Sequence, residues 1–175
     1  MPGVIGNAEL TKLLLPNIYG LEGRMVLEKA AELKPDYILM TGMNSGSRRL
    51  ILNVAALNLR DALLADNMGR QPWQEPVVAE GPAAYFSTID MHRIYKKLRS
   101  EKQPVELGYG AGGYVCNDVF YTVLHHYAVQ NIGKVQAGFV HVPILPQMVW
   151  DDSLARPLEE TTAVLRRIIE EIVAI

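Results

Sequence analysis

The chain has 175 residues, 49% of them apolar and 21% charged, which predicts one soluble domain over residues 1–175 with a sizeable core. With 17 Lys and Arg against 19 Asp and Glu, the net charge is -2, and no basic run is dense enough to suggest nucleic acid as a partner. A single cysteine rules out an internal disulfide, no apolar run is long enough to span a bilayer, and the opening MPGVIGNAELTKLLLP lacks the plan of a signal peptide; together these predict a cytoplasmic protein with no membrane partner.

Residues 9–15 (ELTKLLL) read as a short strand stopped by Pro16. Residues 20–33 carry Met25, Val26, Ala30 and Leu33 at helical spacing, with Pro35 ending the run. Residues 37–41 (YILMT) are continuously apolar, as in a strand buried on both faces of a parallel sheet. These three pieces predict a βαβ unit. Residues 50–59 (LILNVAALNL) read as extended. Residues 60–81, punctuated by Asn67, Gly69, Pro72, Pro76 and Gly81, read as a long loop of the kind that often serves function. Residues 83–99 read as a helix with Ile94 and Leu98 four apart, and 105–107 as a strand closed by GYGAGG. A helix follows over 117–130, then a buried strand over 138–142 (GFVHV), then an amphipathic C-terminal helix marked by Leu158, Thr162, Leu165, Ile169 and Ile172. Strands alternating with helices predict a layered α/β fold.

Cys116 follows GAGGYV and stands just before the helix predicted over 117–130. A helix start offers unpaired N–H groups and partial positive charge, which favour a thiolate and can hold an oxyanion. The residues alone leave two readings open: a reactive thiol, or a small buried hydrophobe. Of the four histidines, His125 and His126 are adjacent on a helix and make a poor metal pair, and His92 opens a polar helix and is expected to be solvated. His141 closes the strand FVHVP, so it is expected at the carboxyl edge of the sheet, either as a hydrogen-bonded structural residue or as the base of a nucleophile–base pair with Cys116.

Three blocks carry a resemblance: GAGGYVCND around Cys116, AGFVHVPILPQ around His141, and NLRDALLADNMGRQPWQEPVV followed by GPAAYFSTI. In this order and at about this spacing, over residues 9–147, they resemble the pyroglutamyl-peptidase I (pyrrolidone-carboxylate peptidase) family. The resemblance implies a three-layer α/β/α sandwich on a mostly parallel sheet. It implies Cys116 as nucleophile and His141 as base, removal of an N-terminal pyroglutamyl residue from peptides, no metal or cofactor, and a soluble intracellular protein of a family whose members are often homo-oligomers. Met43, Tyr114 and Val115 fall at its substrate-binding positions.

Three departures from the family pattern stand out. Asn53 takes the place of the family's glutamate that orients the histidine; it lacks the charge that stabilises an imidazolium, yet it offers an oxygen to accept a hydrogen bond from the ring. Met43 replaces a substrate-contacting glutamine in the turn GMNSGSR. The family's first strand and the phenylalanine-bearing loop over the pyroglutamyl ring have no counterpart in these residues: either the chain starts near the family's second strand, or the true start lies upstream and the sequence is incomplete. These departures set a second expectation beside the peptidase: an impaired or repurposed, non-enzymatic member of the same fold. A cysteine hydrolase of another small acyl substrate is a third.

Overall fold

A computed structural model describes residues 3–130, 135–151 and 153–174. The first elements are two-residue strands, β1 (Val4–Ile5) and β2 (Ala8–Glu9), paired antiparallel. Helix α1 (Leu21–Leu33) leads to β3 (Tyr37–Asn44), β4 (Leu50–Asn53) and β5 (Ala55–Leu57). Next come β6 (Ala84–Phe86), α2 (Met91–Ser100), β7 (Val105–Gly108) and α3 (Val115–Gln130). The chain then forms β8 (Gln136–Pro143), a 3₁₀ turn (Pro146–Met148) and α4 (Leu158–Val173).

The central sheet has four strands in the order β3-β8-β4-β7. β3 runs parallel to β8 and β4 parallel to β7, while β4 and β8 are antiparallel. Two of the three pairings are therefore parallel, as expected. Each face of the sheet carries its own apolar layer, because side chains alternate along a strand. One layer joins Leu50, Leu52 and Val140 to Ile94 and Leu98 of α2 and to Ile168 and Ile172 of α4. The opposite layer joins Met40, Ala137 and Phe139 to Val26 of α1 and to Phe120 and Val123 of α3. This is the three-layer α/β/α arrangement. Gly23 lets α1 lie close on α3, since a Cβ there would stand 2.6 Å from Cγ2 of Thr122.

Several expectations change. Residues 10–18 join no strand; Leu13 and Leu14 are exposed and Leu15 packs on the layer that holds α1 and α3, so the first βαβ unit does not form. β3 lies at the sheet edge: Tyr37 and Leu39 pack on one layer and Ile38 and Met40 on the other, so both faces are covered over its first half, but only Met40 of its eight residues is buried outright. The extended stretch 50–59 breaks at Val54, and its second half pairs antiparallel with β6. Residues 84–86 are thus strand where the sequence predicted helix; the helix starts at Met91, where the Asp90 side chain accepts a hydrogen bond from the Arg93 N–H. α3 begins two residues early, placing Cys116 inside its first turn. The buried stripe of α4 is Thr161, Val164, Ile168 and Ile172, offset from the expected one, and Leu158 is exposed. A pattern anchored on the first apolar residue misses a face that includes a buried threonine.

Candidate active site

Cys116 and His141 come together, though not by the expected route. β7 is parallel to β4 and β4 antiparallel to β8, so the carboxyl end of β7 points away from that of β8. The glycine-rich segment after β7 instead carries the chain back across the sheet. The start of α3 then lays the Cys116 sulfur over Gly42, where a Cβ would stand 2.6 Å from Sγ and 3.0 Å from Cζ of Phe139. Gly42 is the register partner of His141 in the parallel ladder, and register partners share a face. Phe139, two residues before His141 on the same face, packs its ring 4.8 Å from the imidazole. Thiol and imidazole therefore share the face covered by α3. No hydrogen bond joins Cys116 to His141 among the described residues.

Asn53 belongs to this group. It is fully buried on β4, and its Nδ2 lies 3.0 Å from Nδ1 of His141. The same Nδ2 lies 3.2 Å from the Ile51 carbonyl oxygen and 3.4 Å from that of Phe139. Its Oδ1 is buried without a partner. The atom that meets the ring is therefore the amide nitrogen, where the sequence reading expected the oxygen.

The structure places the expected substrate-contacting side chains elsewhere. Met43 pairs with Val142, whose side chain packs on the α2 and α4 face, so Met43 lies on the side of the sheet opposite the thiol. Val115 is fully buried beside Tyr19 and Ala62. The Tyr114 hydroxyl donates to the Ala65 carbonyl and accepts from Nδ2 of Asn17, tying the long loop to the segment before α1. That loop is docked on the glycine turn: the Asp61 N–H donates to the Gly113 carbonyl at 2.9 Å, and a Cβ on Gly113 would stand 2.4 Å from the Asp61 carbonyl oxygen.

Burial sets the protonation of the group. It pushes the Cys116 thiol up to about 11, with the Glu22 carboxylate adding to the effect. It brings His141 down to about 4. The helix start favours the thiolate, but an end dipole contributes at most about 2 kcal/mol, and desolvation outweighs it here. The resting pair is a neutral thiol beside a neutral ring. Glu22, in the first turn of α1, is itself pushed up to about 7 by burial, opposed by the Asn17 N–H it accepts at 2.6 Å and reinforced by the charge of Asp118.

Sequence reading missed three residues that build this site. Gly42 supplies the space for sulfur. Asn117, fully buried, accepts from the Leu57 N–H and donates to the Leu57 and Leu59 carbonyls, fixing the start of α3 to the end of β5. Asp118, also fully buried, accepts from Nε of Arg60 at 2.5 Å and from the Gly20 N–H at 2.8 Å. The available signal was the pair of polar residues directly after the cysteine, whose side chains at a helix start are expected to find hydrogen-bond partners.

The fold and this face define an α/β/α sandwich with a thiol, an imidazole and an amide gathered on one face of its sheet. The profile of the pyroglutamyl peptidase family matches residues 2–174, and the chain belongs to that family. It is 39% identical over 143 residues to a pyrrolidone-carboxylate peptidase of Bacillus cereus (strain Q1), a match covering 82% of this chain and 66% of that protein. It is 37% identical over 145 residues to pyrrolidone-carboxylate peptidase 1 of Caldanaerobacter subterraneus subsp. tengcongensis, covering 83% and 71% respectively. The crystal structure of Bacillus amyloliquefaciens pyroglutamyl peptidase I superposes with a TM-score of 0.90 at 27% identity, over 97% of this chain and 82% of that one. A mutant (E192D) pyrrolidone carboxyl peptidase of Pyrococcus furiosus gives 0.90 at 31% identity, over 98% and 86%.

Proposed function

We propose that this chain is a cysteine-type exopeptidase that removes N-terminal pyroglutamate from peptides, with Cys116 as nucleophile and His141 as the group that moves its proton. The observation that carries this reading is the placement of thiol and imidazole on one sheet face at the start of α3. The names of the relatives supply the substrate class. In this reaction the thiol gives up its proton, and sulfur bonds to the pyroglutamyl acyl carbon. The amide C–N bond breaks, and the amine leaves with a proton. Water then hydrolyses the thioester, releasing pyroglutamate and restoring the thiol. At the start of α3 the N–H groups of Val115 and Cys116 have no carbonyl partner among the described residues and supply donors for the developing oxyanion, whereas those of Asn117 and Asp118 bond to the Tyr114 carbonyl. Substrate meets the backbone around Tyr114 and Val115 in this reading, since their side chains serve packing. The balance requires no cofactor and no metal.

A fluorogenic pyroglutamyl amide tests the assignment. Turnover lost in Cys116→Ser and in His141→Gln supports it; turnover untouched by Cys116→Ser refutes it. Self-association and a cytoplasmic setting belong to the same reading. The first is supported by the exposed Leu63, Leu64, Met68 and Trp73 on one loop and is tested by light scattering. For the second, no helix among the described residues is long and apolar enough to cross a membrane, and fractionation of cells making the tagged chain is the test.

A further inference from the structure

We infer that Asn53 donates its side-chain amide to Nδ1 of His141 and so holds the ring with its single proton on Nε2, making Asn53 a positioning residue that sets which ring nitrogen is free. The role in turnover rests on the function proposed above; the tautomer itself does not.

Two carbonyl oxygens and one ring nitrogen surround one end of the Asn53 amide. That end lies 3.0 Å from His141 Nδ1, 3.2 Å from the Ile51 carbonyl oxygen and 3.4 Å from the Phe139 carbonyl oxygen. Carbonyl oxygens only accept, so the group facing them is the NH₂. Turning the amide over would set Oδ1 against two carbonyl oxygens to gain one bond from the ring. With NH₂ in place, a hydrogen on Nδ1 would face another hydrogen, so Nδ1 carries the lone pair. A neutral imidazole has one N–H, which therefore sits on Nε2. The ring is buried, which keeps it neutral.

The far end of the amide meets no partner among the described residues. Oδ1 is buried and unpartnered beside Gly108, where a Cβ would stand 2.7 Å from it and 2.6 Å from Cγ2 of Ile51. An unpartnered buried oxygen is tolerated at that end because the other end is held by acceptors alone.

The consequence falls on the thiol. Nδ1 is committed to Asn53, so Nε2 is the ring nitrogen left for Cys116, and it already bears a hydrogen. No hydrogen bond joins ring and thiol among the described residues, and in this state the Nε2–H can only donate toward sulfur; it cannot take the thiol proton. Accepting the thiol proton requires the ring hydrogen to move to Nδ1, which in turn requires an acceptor where the Asn53 NH₂ now stands. A carboxylate at residue 53 supplies that acceptor.

The test is the ¹⁵N spectrum of the histidine rings in the labelled full chain at neutral pH, with His141 identified by its loss in His141→Gln. The expected result is an unprotonated-type Nδ1 and a protonated-type Nε2 for His141. A protonated-type Nδ1 in the unmodified chain overturns the inference, and this needs no variant to fold. Asn53→Asp changes one heavy atom. It is expected to move the ring proton to Nδ1 and to raise the ring's apparent pKa by roughly one to two units. It is also expected to raise kcat on a pyroglutamyl amide by at least about tenfold with little change in KM. A folded Asn53→Asp whose His141 keeps the Nε2–H pattern overturns the lock. Absence of turnover in both proteins, with the expected ¹⁵N patterns, refutes the peptidase and supports the tautomer assignment, so the two failures are distinct.

Discussion

The sulfur of Cys116 occupies the space that a side chain on Gly42 would need: a Cβ at residue 42 would stand 2.6 Å from Sγ. The edge strand and the first turn of α3 therefore meet through a missing methyl group. Gly42→Ala must displace either the sulfur or the Phe139 ring, whose Cζ would be 3.0 Å away. The expected result is a loss of about 1–3 kcal/mol of stability, the usual cost of overpacking. Turnover should fall more than binding, because the displaced atom is the proposed nucleophile. Urea unfolding and steady-state kinetics on the same preparation check this; a variant as stable and as active as the parent contradicts the contact.

Cys116 is expected to alkylate slowly at neutral pH. Its thiol is pushed up to about 11, first by burial and then by the Glu22 carboxylate, so the thiolate is scarce at pH 7. The rate with iodoacetamide should climb steadily from pH 7 to pH 10 without a plateau. Glu22→Gln removes the second cause and should shift that profile to lower pH. A fast, pH-independent reaction near neutrality is the opposing outcome.

The buried ion pair between Arg60 and Asp118 gives a third expectation. Asp118 is fully buried, and its carboxylate takes Nε of Arg60 and the Gly20 N–H. Arg60→Leu leaves that charge without its cation and should cost about 3–5 kcal/mol, whereas Arg60→Leu combined with Asp118→Asn should cost much less. Denaturant midpoints of the single and double variants measure the difference. Equal losses would mean that the pair is not coupled. The pair also fixes where the long loop meets α3, so the single variant should lose activity beyond its loss of stability.

These residues show how far the sequence could be read. β8, α3 and α4 were legible because long apolar or amphipathic runs report burial directly. Cys116 and His141 were legible through the short motifs around them. Strand direction was not: nothing in residues 105–108 says that β7 runs against β8, so a shared carboxyl edge was expected where the chain in fact crosses the sheet face. Ile94 and Leu98 mark a helix over 83–99 in the sequence, but pairing with β5 makes residues 84–86 a strand. Asn53 was visible as a departure, but which end of its amide meets His141 depends on carbonyls from two strands. Gly42 and Glu22 gave no signal, since space and burial are properties of the packed chain.

Glu22 and His141 should oppose each other in the pH dependence of stability. Glu22 is pushed from 4.5 up to about 7, mainly by burial, so between those values the folded chain holds a proton that the unfolded chain has lost. Stability from this group falls as pH rises through that window. His141 is brought from 6.5 down to about 4, again by burial, so between those values the unfolded chain holds a proton that the folded chain lacks. Stability from this group falls as pH drops through that window. Each slope is about 1.4 kcal/mol per pH unit with opposite sign, so over the shared range, about pH 4.5 to 6.5, the two cancel. Removing either group exposes the other. Glu22→Gln, which keeps an oxygen for the Asn17 N–H, should gain on the order of 2–3 kcal/mol at pH 8 and then lose stability on acidification below pH 6.5. His141→Gln should instead lose stability as pH rises from 4.5 to 7. Urea titrations of the three proteins at half-unit steps from pH 4 to pH 8 separate the slopes; parallel curves for parent and Glu22→Gln would show that Glu22 titrates alike in the folded and unfolded chain.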